Sequence, residues 1–126
     1  LATDPAGAIY SDVIRERWRK PRYRGELAGA TAVAEDVNPL CGDRVRLGVA
    51  IRGGSIADAR FSGDSCAICT AAADVLVEKI HGASVEAARA VTADDVRATL
   101  RANIRPTRMR CLTLPLSVLE KALDAA

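Results

Sequence analysis

Between Arg44 and Arg52, apolar Val45, Leu47, Val49 and Ile51 alternate with Arg44, Arg46, Gly48, Ala50 and Arg52. Successive side chains of a strand point to opposite faces, so this run predicts a strand with one buried and one exposed face. Gly53-Gly54 follows at once. Two glycines supply the positive-φ positions of a tight turn, which returns Ser55 to Phe61 as an antiparallel partner. A sheet with one apolar face needs a covering layer, and the remaining segments have to provide it.

Residues 1 to 8 are small, polar and aperiodic, and are expected to form a loose terminus. Ile9, Tyr10, Val13, Ile14 and Trp18 fall at helical spacing, so a first amphipathic helix is predicted from Ile9 to Lys20, stopped by Pro21. Thr31 to Val37 reads as a short strand ended by Asn38-Pro39. Cys66 to His81 reads as a helix with Ile68, Ala71, Ala72, Val75, Leu76 and Ile80 on its apolar side, closed by Gly82. Ser84 can cap a short helix through Ala90, and Thr92 with Asp95 resembles a capping box for a helix reaching about Asn103. After the break at Pro106 a last helix is predicted over about Leu112 to Leu123, directly following Cys111, with Pro115 tolerable only in its first turn. The predicted fold is α+β, a small three-stranded antiparallel sheet with helices packed on one face, in a single domain over residues 1–126.

With 49% hydrophobic and 27% charged residues the chain has the composition of a soluble globular protein. Apolar runs are broken well before the roughly 20 residues a membrane span requires, and no signal-peptide pattern opens the sequence, so a cytoplasmic location is expected. Arg15, Arg17, Arg19, Lys20, Arg22 and Arg24 crowd together, as a solvated basic face or as a docking patch for an acidic partner. The net charge of only +2 and the scarcity of aromatic residues argue against a nucleic-acid binder.

Four cysteines without a secretory signal point to metal ligands or reactive thiols rather than disulfides. Cys41, Cys66 and Cys111 each stand at the boundary of a predicted element. A thiol at a helix N-terminus lies near unsatisfied N–H groups, which favours the thiolate. Gly42 leaves room beside the Cys41 sulfur, and Asp43 offers a hard oxygen donor two residues on. Three thiolates and a carboxylate can complete a tetrahedral Zn2+ site or anchor an iron-sulfur cluster. Spacing alone leaves open the alternative of buried or incidental cysteines. Cys69, one helical turn beyond Cys66, is either a small core residue or a partner of Cys66 as alternative ligand or resolving thiol. His81, the only histidine, reads as a capping or surface residue near a helix C-terminus.

Four motifs in order carry a family resemblance. Tyr10, Val13 and Ile14 followed by Pro21, Arg22, Gly25 and Leu27, then N-P-L-C-G-D-R at 38–44, F-S-G-D-S-C-A-I-C at 61–69 and P-T-R-M-R-C at 106–111, resemble the IscU, SufU and NifU N-terminal group of iron-sulfur cluster assembly scaffold proteins. The resemblance implies a SufE/NifU-like fold, Cys41, Cys66 and Cys111 as ligands, and Asp43 as fourth ligand or as the group that keeps a cluster labile. It implies sulfur received as persulfide from a cysteine desulfurase, with Cys41 the candidate acceptor, and a [2Fe-2S] or [4Fe-4S] cluster built or relayed to apo iron-sulfur acceptor proteins. Arg110 stands where IscU-type proteins carry histidine, and a guanidinium cannot ligate a metal. The SufU-type insertion between the second and third cysteines is not accommodated by residues 82–105, so the subtype features are mixed. Alternatives are a zinc-dependent sulfurtransferase that activates a cysteine desulfurase, and a structural zinc interaction module. No hydrolase or kinase signature is present, so a scaffold or sulfur carrier is expected rather than a conventional enzyme.

Overall fold

A computed structural model of the chain describes residues 11–40 and 42–126. The predicted loose terminus, Ile9, Tyr10 and Cys41 lie outside the described residues. The elements run α1 (Asp12–Arg19), β1 (Ala32–Asn38), β2 (Asp43–Arg52), β3 (Ser55–Ser62), α2 (Ala67–Ile80), α3 (Val85–Arg89), α4 (Ala93–Leu100), a 3-10 turn (Pro106–Arg108) and α5 (Met109–Ala125).

The three strands form one antiparallel sheet in the order β1-β2-β3, as the alternation and the glycine turn predict. Val45, Leu47 and Val49 of β2 are buried on one face, paired with Asp36, Ala34 and Ala32 of β1. The β2–β3 ladder skips Ala57, and this bulge changes the facing of β3, so that Ile56 and then Ala59 and Phe61 reach the same core. α5 packs on β1 and β2, and α2 on β3 and α5. The other face is partly roofed by the loop after α1, whose Leu27 and Ala30 lie against Gly48; a Cβ there would sit 3.5 Å from the Leu27 Cβ.

Local capping chemistry sets most boundaries. Ser11 caps α1 through the Ile14 amide and Ser84 caps α3 through the Ala87 amide. Thr92 and Asp95 exchange both bonds of the predicted capping box. α4 ends at Leu100, short of the expected Asn103, because Arg101 turns left-handed at φ 55°.

Two expectations are corrected. α5 begins at Met109, so Cys111 lies in its first turn rather than before it, and Pro115 is interior rather than in the first turn. Proline there has no N–H for the carbonyl of Cys111, a local cost outweighed by burial of Leu112, Val118, Leu119 and Leu123 against the sheet. On α1 the fully buried residue is Ile14, while Trp18, placed by its spacing on the apolar side, is 52% exposed. Arg17 takes the position facing α2, where Asp74 meets it.

Candidate metal centre

Asp43 opens β2 in phase with Val45 and Leu47, so its carboxylate faces the helical layer rather than solvent and is 4% exposed. Directly opposite arrive the N-termini of α2 and α5. Cys66 is the N-cap of α2, with extended backbone at φ −66°, ψ 169°. Cys111 is the third residue of α5 and is buried. One carboxylate oxygen of Asp43 and the sulfurs of Cys66 and Cys111 all lie within 4.8 Å of one another.

The loop ahead of α2 is tied to the start of β2. Gly63 adopts φ 119° and passes so close to the strand that a Cβ would stand 2.3 Å from the Arg44 carbonyl oxygen. The Arg44 amide donates to the Asp64 carbonyl at 2.8 Å, and the Cys66 amide donates to Asp43 Oδ1 at 2.8 Å. The Asp43 carboxylate thus positions the backbone of Cys66 as well as standing beside its thiol. Cys66 Sγ accepts from the Cys69 amide at 3.4 Å, the N-cap interaction usually made by a serine oxygen.

Electrostatics favour the protonated form at Cys111 and Cys69. Burial pushes the Cys111 thiol well above the ordinary range, its hydrogen bond with Cys66 and the charges of Cys66 and Asp43 add to that, and Arg108 pulls partly back. Burial likewise raises Cys69, followed by the charge of Asp43. A buried sulfur held beside a carboxylate and a second sulfur forms a crowded donor set that a cation relieves. Thiolate and carboxylate groups fit Zn2+, and thiolates fit iron in a cluster.

Of the residues singled out from the sequence, Asp43, Cys66 and Cys111 come together. Cys41 lies outside the described residues. Cys69 is fully buried in the core and is not among the three grouped donors. Arg110 lines a shallow surface pocket with Asn38, Pro39 and Thr113 on the flank of the centre. His81 is the C-cap of α2, its amide donating to Val77, and its ring approaches Asp58 at 3.2 Å and Tyr23 at 5.7 Å between centroids. The basic cluster is drawn into structural contacts: Arg17 pairs with Asp74 at 3.0 Å and Glu78 at 3.1 Å, Arg22 with Glu78 at 3.8 Å, and Arg24 donates to the Gly63 carbonyl at 3.0 Å.

Asp74 was not anticipated. Completely buried, it accepts from Arg17 and from the Tyr23 amide, locking α1 and the following loop onto α2. Its signal in the sequence is a single acid inside T-A-A-A-D-V-L-V, since a carboxylate within a helix that is apolar all round must be paired.

The sequence pattern of the NifU-like N-terminal domain matches residues 9–125. The chain is 30% identical over 132 residues to the zinc-dependent sulfurtransferase SufU of Bacillus subtilis, covering 91% of this chain and 89% of that protein. It is 30% identical over 131 residues to the iron-sulfur cluster assembly scaffold protein IscU of Thermotoga maritima, covering 91% and 92%. Among solved structures, a putative iron-sulfur cluster assembly scaffold protein for the SUF system from Fervidobacterium islandicum superposes with a TM-score of 0.77 at 29% identity, covering 91% of this chain and 96% of that one. A NifU-like N-terminal protein from Brucella abortus, at 20% identity and a TM-score of 0.70, shares the fold. With the family pattern running almost the whole length of the chain and relatives matched over nine-tenths of it, this protein belongs to the NifU-like N-terminal domain family.

Proposed function

We propose that this chain is an iron-sulfur cluster assembly protein that accepts sulfur from a cysteine desulfurase and assembles or relays a cluster on Cys41, Cys66 and Cys111, with Asp43 beside them. The observation that carries this reading is the convergence of Asp43, Cys66 and Cys111 at the starts of two helices, which gathers two sulfurs and a carboxylate within ligand distance of one point. The relatives named for cluster assembly support it. The cluster is cargo in this reading, destined for apo iron-sulfur proteins. Cys41 is assigned as the persulfide acceptor on the family resemblance of its N-P-L-C-G-D-R motif at 38–44. Free thiols suit a reducing compartment such as the cytoplasm; no helix among the described residues is long and apolar enough to cross a membrane.

A second reading, a zinc-dependent sulfurtransferase, is favoured by the compactness of the donor set. Ligands about 2.3 Å from a tetrahedral ion lie roughly 3.8 Å apart, and donors within 4.8 Å of one another match that scale. Zn2+ held by Asp43, Cys66 and Cys111 would keep the thiolates deprotonated and oriented.

Metal analysis with a desulfurase assay separates the two. Assembly predicts a coloured cluster on anaerobic reconstitution that moves intact to an apo-ferredoxin. Sulfur transfer predicts about one tightly held Zn2+ per chain, faster desulfurase turnover lost in Cys41→Ala, and no cluster transfer. Unfolding on metal removal with no effect on any desulfurase would overturn both and leave a structural zinc module.

A further inference from the structure

The C-A-I-C segment at 66–69 places two sulfurs at the start of α2, and only one of them belongs to the grouped metal donors. Cys66 is partly exposed, so a sulfur donor can reach it. Cys69 is 0% exposed, so no external reagent can. The two are nevertheless in contact: the Cys69 amide donates to Cys66 Sγ at 3.4 Å. The Cys69 thiol is influenced by Ser65, Asp43, Cys66 and Cys111, so its buried sulfur lies in the neighbourhood of the centre without belonging to the grouped donors. Cys69 can therefore react only with what its neighbours carry.

We propose that Cys69 is the resolving thiol of Cys66: it attacks the inner sulfur of a persulfide on Cys66, forming the Cys66–Cys69 disulfide and discharging the outer sulfur as hydrogen sulfide. The inner sulfur is the target because it is the atom held by the Cys69 amide. The Cys69 Sγ–Cys66 Sγ bond forms and the Cys66 Sγ–outer sulfur bond breaks. The outer sulfur leaves with the bonding pair, reduced to sulfide, and takes up the Cys69 proton; the two cysteine sulfurs end at the disulfide level. Two equivalents of a small thiol then restore the pair, as in ordinary thiol–disulfide exchange. Side chains one helical turn apart have Cβ atoms about 5–6 Å apart, against about 3.5–4.5 Å in a disulfide. Cys66 is an extended N-cap rather than a helical residue, so its side chain is not bound to the helical spacing and already folds back onto the Cys69 amide. Cysteines with two residues between them at a helix N-terminus are an established redox arrangement.

The step rests on the preceding reading in that sulfur arrives as persulfide, received at Cys41 and passed to the Cys66 thiol by persulfide exchange, and it supplies what that reading lacks: iron-sulfur clusters contain sulfide, whereas a desulfurase delivers sulfane sulfur. The test uses inorganic polysulfide, so no desulfurase is needed and the two ideas fail separately. Metal-free full-length protein is loaded anaerobically, freed of excess polysulfide, assayed for released sulfide and digested with trypsin. Cys66 and Cys69 fall in one peptide, 61–79, and Cys111 in another, 111–121. The expected wild-type product is peptide 61–79 two hydrogens lighter, with sulfide released. In Cys69→Ala that peptide instead carries one extra sulfur, which persists at least about tenfold longer because the intramolecular attacker is gone. Cys69→Ser, closer in volume, is run alongside as the variant that keeps the core filled. Equal persulfide lifetimes in wild type and both variants, or a cross-link from peptide 61–79 to 111–121 in place of the internal bridge, would overturn the proposal.

Discussion

Gly63 is the position at which backbone sterics and the metal centre are most directly coupled, and Gly63→Ala tests that coupling. At φ 119° a side chain is strained whatever its surroundings, and here the new Cβ would meet the Arg44 carbonyl oxygen at 2.3 Å. The strain alone costs about 1–2 kcal/mol. Relieving the clash requires the loop to retreat by roughly an ångström from a strand held on both sides, which breaks the Asp64–Arg44 hydrogen bond at about 1 kcal/mol more. The total of about 3 kcal/mol lowers the melting temperature by roughly 10 °C in a domain of this size. Gly82→Ala is the matched control, since Gly82 has φ 81° but nothing within 4 Å of its would-be Cβ; it should carry only the strain. Because the same retreat pulls the Cys66 amide off Asp43, Gly63→Ala should also weaken Zn2+ binding by about tenfold or more, read by competition with a chromophoric chelator, while Gly82→Ala leaves it unchanged. Equal melting temperatures and equal Zn2+ affinities for the two variants would refute the reasoning.

Removing the Asp74 carboxylate as Asp74→Ala leaves Arg17, whose side chain is 15% exposed, with Glu78 as its acidic partner and strands the Tyr23 amide; a loss of about 2 kcal/mol is expected in urea unfolding. Asp43→Asn keeps an oxygen for the Cys66 amide and should cost the fold less than about 1 kcal/mol while weakening Zn2+ binding at least about tenfold; unchanged Zn2+ affinity would remove Asp43 from the ligand set. Because folding raises the Cys69 and Cys111 thiols, the metal-free fold holds its full stability below the ordinary thiol pKa of about 8.5. It loses stability as pH rises beyond that, since the unfolded chain then releases protons the folded one retains. Cys69→Ala should flatten this decline in urea titrations run across alkaline pH. Zn2+ uptake runs in the opposite direction, tightening with rising pH and releasing protons to a weakly buffered solution.

What was legible in the sequence is what short-range chemistry decides. The alternation of β2 and the Gly53-Gly54 turn are local facts, and the sheet follows them. The Ser84 and Thr92 caps are equally local, and α3 and α4 begin where they stand. The misjudged features depend on packing at a distance. Pro115 costs α5 one hydrogen bond, and the apolar contacts that outweigh it come from β1 and β2, far away in the chain. The periodicity of α2 predicts a helix with one apolar side, but it is enclosed almost all round, which is why Asp74 pairs with Arg17. Each cysteine could be seen to stand at an element boundary, yet the meeting of Cys66 with Cys111 depends on how α2 and α5 cross. Asp43 stands out in the sequence for its nearness to Cys41, although its phase with Val45 and Leu47 is the property that turns it inward.

Cys69 shows why such readings need not exclude one another. As a core residue it is fully buried, and as a neighbour of Cys66 it lies within hydrogen-bonding contact of the sulfur before it. Burial gives a resolving thiol its selectivity: external reagents are kept out, and its proton passes to the departing sulfide as it attacks. A core position with one reactive neighbour is therefore a selective site, and its chemistry appears only when that neighbour carries something to discharge.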